Sequence, residues 1–201
     1  MALVVDICNE ALVEAKYDET IAALDEDSVS ARRCNRLYDP TRREVLTTFP
    51  WTFATRFEEL AKLNIDEPRF VFSYPTKALR ILNIYASKEE YLARKCIRFP
   101  TDIVRVENIN GDKVIVSPYE KCFVEYVYDE ENPENFSPLF TRLLYLNLAL
   151  KLAKLAGADN PFLNLLMNQI VDTENRARAH SITEDENNIH QPYADIYTNV
   201  R

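Results

Sequence analysis

The stretch PLFTRLLYLNLALKLAKLA at residues 138–156 decides the fold. Its apolar side chains fall on most sides of a helix, and a helix with this pattern belongs in the middle of a core. Gly157 follows it and fits as the residue after the helix end, because glycine accepts the left-handed backbone that often ends helices. Asn147, Lys151 and Lys154 interrupt the apolar run, which is also too short to span a bilayer. The sequence therefore predicts a central core helix and no membrane partner.

Three further helices are predicted around this one. Residues 7–17 and 162–181 carry short apolar stripes, and a longer stripe at three- and four-residue steps predicts a helix over Val29–Thr48. An acidic turn ending in Ser28 precedes that long helix and supplies a good N-cap. Pro40 is expected either to kink the helix or to start a second one with Asp39 as its cap. The N-terminal helical region is predicted to extend to about residue 66, with a short helical or irregular run at 54–63.

The middle of the chain, residues 68–128, changes to the two-residue period of strands. Asn110-Gly111 lies between β-branched runs at 102–107 and 113–117, and this pattern is typical of a tight hairpin. The alternating segment KCFVEYVY at 121–128 predicts another strand, and in all about five short antiparallel strands are expected in one sheet. The fold class is therefore α+β, a helical bundle with an inserted, mostly antiparallel β region.

The domain organisation follows from these elements. We predict a single domain over residues 1–185, with helices at about 7–66 and 138–181 and the β insert at about 68–128. Residues 186–201 are polar and lose periodicity, so they are expected to form an extended C-terminal arm.

The composition excludes several classes of function. The chain has two glycines in 201 residues, where ordinary usage would give roughly 14. Walker, Rossmann and kinase loops and the nucleophile elbow each need at least two glycines within about eight residues. Gly111 and Gly157 are too far apart for any of them, so all four motifs are excluded, and with them the large class of nucleotide-binding enzymes. The net charge of −8 argues against a nucleic-acid binder of the usual basic type.

The sequence predicts no catalytic residue, no metal site and no cofactor. His180 and His190 lack motif partners and are expected to be solvated, and the acidic residues cluster in turns. The cysteines have no C-x-x-C spacing and are expected to be small buried hydrophobes rather than zinc ligands or disulfides. They are Cys8, Cys34, Cys96 and Cys122.

A cluster of arginines is the most informative charged feature. Five fall within twelve residues of this acidic chain: Arg32, Arg33, Arg36, Arg42 and Arg43. On a helix, the first, third and fifth of them share a face. The cluster is either a solubilising face paired with nearby acids or an interface that binds carboxylates. DNA binding is the least favoured reading, because the chain is acidic.

The segment Phe49-Pro50-Trp51-Thr52-Phe53 contains the only tryptophan. We expect it to form a corner of the core. An exposed aromatic site for sugars or host proteins, around Tyr91, Tyr119 or Trp51, is an alternative function of another class.

These segments resemble the tail tubular protein A family, the head-to-tail adaptors of short-tailed bacteriophages. The family shares an acidic turn with serine, a helix with an A-R-x-x-N/L-x-x-Y/I pattern and a P/G-W-x-F corner. The matching segments here are residues 24–28, 31–39, 42–46 and 49–54, followed by 74–82 in the first strand pair and 136–156 in the second half. The resemblance covers about residues 10 to 180.

The resemblance implies a structural subunit of the virion neck, made in the host cytoplasm and without enzymatic activity. It implies a homo-oligomeric, dodecameric ring between the portal protein and a nozzle like tail tubular protein B. DNA would only pass through the lumen during genome ejection, and tail fibres or spikes would dock around the ring.

Residues 186–201 are expected to bind the portal or an adjacent subunit. The residues predicted to form the oligomer or portal interface are Arg32, Arg33, Arg36, Arg42, Arg43, Tyr193, Ile196, Tyr197 and Arg201. The alternative function is a virion-associated hydrolase of peptidoglycan or polysaccharide, which needs a carboxylate pair in a cleft.

Overall fold

The computed structural model describes residues 3–65, 68–93, 104–109 and 111–194, with side chains through residue 184. The chain divides into two compact units. The helical unit comprises Met1–Phe53 and Glu130–Arg201, and the β unit is Ala54–Asp129. The fold is therefore α+β, with the β unit inserted between the two halves of a helical bundle.

Five α-helices are present in the described part of the chain: α1 Val4–Glu14, α2 Val29–Thr48, α3 Lys88–Leu92, α4 Pro138–Leu155 and α5 Asn160–Ala194. All but α3 belong to the helical unit. There α4 contacts α1, α2 and α5, and Leu144, Leu148 and Leu152 on it are fully buried. The predicted central helix is confirmed, and its apolar character on most sides is explained by neighbours on three sides.

Local signals fix both ends of α4. The backbone N–H of Phe140 donates to Ser137 Oγ over 3.3 Å, which caps the first turn. At the other end Gly157 has a φ of +76°. The N–H of Ala158 donates to Ala153 O over 3.0 Å and that of Gly157 to Lys154 O over 3.2 Å. These two bonds form a Schellman motif, so the predicted role of Gly157 is confirmed.

Helix α2 runs from Val29 to Thr48 as predicted, with Ser28 Oγ accepting from the N–H of Ala31. No second helix begins at Pro40, which lies inside α2 on its exposed side. An interior proline removes one backbone hydrogen bond and crowds the preceding turn, yet α2 continues through Pro40 to Thr48. Asp39 does not cap anything, because its carboxylate accepts from Arg42 Nε over 3.3 Å.

The β unit contains seven described strands in two sheets rather than about five strands in one. They are β1 Thr55–Glu59, β2 Lys62–Leu63, β3 Phe70–Ser73, β4 Ala78–Tyr85, β5 Arg105–Ile109, β6 Asp112–Ser117 and β7 Phe123–Tyr128. One sheet has the order β1-β7-β4 and the other β2-β3-β6-β5. Every described pairing is antiparallel. The predicted hairpin is confirmed as β5 and β6, with Gly111 at a φ of +91° between them.

The prediction of a helical or irregular run at 54–63 is wrong. Strand β1 pairs along its whole length with β7, from Thr55 opposite Val127 to Glu59 opposite Phe123. The segment is short and mostly polar, so its own pattern is weak and the pairing with a strongly alternating strand determines its structure.

The short helix α3 contains the acidic pair Glu89-Glu90. Ser87 Oγ accepts from the N–H of Glu90, and the Glu90 carboxylate accepts from the N–H of Ala86 over 2.8 Å. This reciprocal pair satisfies backbone donors at the helix start.

Helix α5 continues to Ala194, beyond the predicted end near residue 181. The first part of the predicted extended arm is therefore helical, which follows from the low cost of adding residues to an existing helix. Tyr193 lies in this helix, whereas Ile196, Tyr197 and Arg201 lie outside the described residues.

We expect Gly157→Ala to lower the free energy of unfolding by about 1 kcal/mol, because alanine is strained at positive φ. A Cβ at this position would meet no atom within 4 Å, so the cost is conformational rather than steric. Gly157→Asn should cost less, since asparagine tolerates this backbone. Urea denaturation followed by circular dichroism measures both. Equal stability of Gly157→Ala and the parent chain would contradict the assignment.

Candidate interface on the arginine-rich helix

Helix α2 directs its five arginines to different sides. Arg32, Arg36 and Arg43 are exposed, Arg33 is half-buried and Arg42 is fully buried. The three exposed residues are four and seven positions apart, which places them on one face of the helix. We call Arg32, Arg36 and Arg43 the arginine stripe.

Arg42, predicted to belong to the oligomer or portal interface, is fully buried in the single chain and is a structural residue of the helical unit. Its Nη1 donates to Glu130 O over 2.6 Å and its Nε to the Asp39 carboxylate over 3.3 Å. Glu130 is where the chain re-enters the helical unit after the β insert. Arg42 therefore ties α2 to the returning chain. The sequence held a signal for this role, because Arg42 lies four residues from both Tyr38 and Leu46 on the apolar face.

Arg33 also serves the helical unit. Its Nη1 donates to Tyr17 Oη over 2.8 Å, and that hydroxyl donates to Leu152 O over 3.3 Å. This chain of two hydrogen bonds links α2 to α4 through the segment after α1. Arg33 is thus placed mainly for packing, although part of it is exposed.

The arginine stripe has the chemistry of a carboxylate-binding surface. Arg32 pairs with Asp27 over 2.5 Å, but both side chains are largely exposed, so the pair stabilises the fold little. Arg36 is exposed and has no acidic partner among the described residues. Guanidinium groups bind carboxylates through two parallel hydrogen bonds, and the stripe presents three of them over about 16 Å of helix.

The aromatic corner is buried, as expected. Trp51 is 1% exposed, and its Nε1 donates to Val45 O over 3.1 Å. Its ring packs edge-on against Phe49 and Phe140, with centroids 5.2 and 5.3 Å apart. Trp51 therefore cannot serve an exposed aromatic site.

The other two residues considered for an aromatic site differ in exposure. Tyr91 is half-buried and stacks on Phe57, with 3.8 Å between centroids. Tyr119 is exposed after β6.

Glu125 is a buried carboxylate in the β unit. Its Oε2 accepts from Asn83 Nδ2 over 2.7 Å and from Tyr85 Oη over 3.1 Å. Both donors lie on β4, the neighbour of β7, so the carboxylate links two paired strands. This arrangement is structural and does not by itself make the carboxylate pair that a glycosidase needs.

The described cysteines are buried, as expected from the sequence. A hydrogen bond to Cys34, together with burial, raises the pKa of the Cys8 thiol well above its ordinary value. Burial raises the pKa of Cys122 to about 12. The Cys8 and Cys122 thiols therefore stay protonated and are poor nucleophiles. Cys96 lies outside the described residues.

Among the described residues, no three His, Cys, Asp or Glu side chains lie close enough together to hold a metal ion. His180 is exposed, with its Nδ1 3.5 Å from the Glu184 carboxylate. The side chain of His190 is outside the described set. Among the described helices, none has the length and apolar character to cross a membrane.

Comparison with protein-family models and with curated proteins finds no match for this chain. The resemblance to tail tubular protein A therefore stays a prediction from the sequence. What the structure adds is the position of the residues that carry it: the acidic turn caps α2, and the tryptophan corner packs on α4.

We expect Arg42→Met to lower the free energy of unfolding by about 2 kcal/mol, because it removes hydrogen bonds to a charged, buried donor. Arg36→Met is the matched control on the same helix and should change stability by less than about 0.5 kcal/mol. Urea denaturation of both variants makes the comparison. Equal losses in the two would show that Arg42 does not tie the returning chain to α2.

Proposed function

We propose that this protein is a structural head-to-tail adaptor. In this proposal, identical subunits form a ring between the portal protein and the tail nozzle of a short-tailed phage. DNA passes through the lumen. The chain acts as a spacer and a contact surface rather than as an enzyme.

The arginine stripe is the observation that carries the proposal. The same helix uses Arg33 and Arg42 inside its own unit, yet it leaves Arg32, Arg36 and Arg43 exposed. A chain with a net charge of −8 does not need a row of exposed arginines to stay in solution. A rigid cationic stripe on an acidic protein is suited to the acidic surface of another subunit.

Ring geometry makes this arrangement useful. A closed ring of identical subunits uses contacts between two different surfaces, so that each subunit presents one surface to either neighbour. The cationic arginine stripe of one subunit can face an acidic surface of the next subunit, because the chain as a whole is acidic. Two different surfaces of the same protein are then enough to form the contact.

The residues of the resemblance support the proposal in a second way. Two of them contact the helix that carries the stripe: Ser28 caps its start, and Trp51 Nε1 donates to Val45 O in its last turn. The segment that resembles the adaptor family is therefore also the segment that presents the candidate interface.

Charge reversal on the stripe should disrupt assembly. We expect the double variant Arg36→Glu, Arg43→Glu to form no rings when mixed with the cognate portal protein, because like charges would then face each other. Negative-stain electron microscopy with and without portal gives the readout. Lys154→Glu, an exposed change at the far end of α4, is the control and should leave assembly intact. Normal rings from the double variant would show that the stripe is not part of the interface.

Hydrolysis of peptidoglycan by the purified chain, abolished by one Asp or Glu change, would favour the hydrolase alternative.

Assembly through the stripe should also depend on salt. The Debye length falls from about 30 Å at 0.01 M to about 3 Å at 1 M ionic strength, so contacts between exposed charges weaken. We expect the concentration needed for half-maximal assembly to rise as sodium chloride is added, as measured by light scattering. The rise should be smaller in Arg36→Met, which removes one charge of the stripe. An assembly that is equally strong across this range would point to an apolar interface instead.

A further inference from the structure

Helix α1 turns a negatively charged side away from the core of the helical unit. That side carries Asp6, Glu10 and Glu14, which follow one another at steps of four residues and so share a face. Asp6 and Glu10 are exposed, and Glu14 is half-buried. We call these three residues the acidic face. The opposite side of α1 is buried and consists of Ile7, Cys8, Ala11 and Leu12.

The charges of the acidic face are poorly balanced within their own chain. The Asp6 carboxylate accepts a hydrogen bond from the backbone N–H of Leu3 over 3.0 Å. No described cation, however, forms an ion pair with Glu10 or Glu14. Like charges four residues apart repel each other on a helix. The last turn of α1, where Glu14 lies, contains no basic residue, although a cation is favoured at that end. A cationic surface placed over the acidic face would relieve this repulsion.

The arginine stripe has the opposite charge and a similar spacing. Arg32 and Arg36 are also four residues apart, so they repel each other as the glutamates do. A step of four residues rises about 6 Å along either helix, and the acidic face extends over about 12 Å against about 16 Å for the stripe. Two helices lying side by side could therefore bring most of the acids close to arginines.

Exposed apolar side chains accompany both surfaces. Val13 is 60% exposed beside Glu10, and Leu3 is 61% exposed beside Asp6. On α2, Val29 is 52% exposed and lies three residues before Arg32, on the same face. Exposed ion pairs contribute little stability by themselves, whereas burial of apolar area contributes in proportion to that area. A contact between the two faces would combine both.

The two surfaces are not paired with each other in the single chain, since no ion pair joins the acidic face to the arginine stripe among the described residues. We infer that the acidic face of one subunit packs against the arginine stripe of the next subunit. Each subunit then presents its acidic face to one neighbour and its stripe to the other, which is the kind of contact that closes a ring.

This inference rests on the proposed function, which it deepens by naming the surface that the arginine stripe contacts. The proposed function needs the stripe and an acidic partner surface, whereas the inference needs the acidic face of α1 in particular. The two can therefore fail separately.

A charge exchange in the full-length chain, mixed with portal protein, tests the inference. The acidic-face variant Glu10→Lys, Glu14→Lys should lower the number of rings about tenfold or more, because two cationic surfaces then face each other. The stripe variant Arg36→Glu, Arg43→Glu should do the same with two anionic surfaces. Negative-stain electron microscopy counts the rings, and far-ultraviolet circular dichroism checks that each variant is folded.

An equal mixture of the two variants should restore the rings. In an alternating ring, the new lysines of one variant meet the new glutamates of the other, and the unchanged surfaces of the two variants also have opposite charges. Glu120→Lys makes the same change of charge at an exposed position of the β unit. It is the control and should leave ring formation unchanged.

Recovery in the mixture supports a direct contact between the two surfaces, because misfolded variants would not rescue each other. Rings at the parent level from the acidic-face variant alone, or no recovery in the mixture, would overturn the inference. If the stripe variant still forms no rings in that case, the proposed function stands with another acidic surface as the partner. A parent chain that forms no rings with portal protein would overturn the proposed function and this contact together.

Discussion

The burial of α4 is the constraint on which the rest of the structure depends. A helix that is apolar on most sides gains stability only if neighbours cover it on most sides. Helices α1 and α2 come from before the β unit and α5 from after it, and all three contact α4. The chain must therefore leave the helical unit, form the β unit and return to one place. Trp51 and Phe140 meet at that place, which joins the segment before the β unit to the start of α4.

The return is fixed by a buried arginine rather than by apolar contacts alone. The Arg42 guanidinium is fully buried and donates to the backbone oxygen of Glu130. Burying a charged group is costly unless hydrogen bonds compensate for the lost water, so this contact tolerates few alternative positions of the chain. A helix rich in arginine thus serves two purposes. One side orders the subunit, and the other carries the exposed residues Arg32, Arg36 and Arg43.

Strong local patterns made most of the fold predictable. The pattern at residues 138–156, the cap at Ser28, the turn at Gly111 and the glycine after α4 each specify their structure through nearby residues, and each is found as expected. The β1 segment was not predictable, because its structure comes from pairing with β7, far away in the sequence. The division into two sheets depends on similar long-range pairing.

The site was predictable only in part. Spacing on a helix correctly placed Arg32, Arg36 and Arg43 on one face. It did not show that Arg42 is buried, since that depends on a partner 88 residues later.

The way the β unit is attached has a consequence for how such a protein can evolve. Its first strand and its last strand are paired neighbours, with Thr55 opposite Val127. Backbones paired in this way lie about 5 Å apart, so the chain leaves and re-enters the β unit through two adjacent strands. The two ends of the insert therefore lie side by side within its own sheet. A lineage can therefore replace the whole insert with another module, or with a simple turn, while the four-helix core and its arginine stripe keep the same sequence.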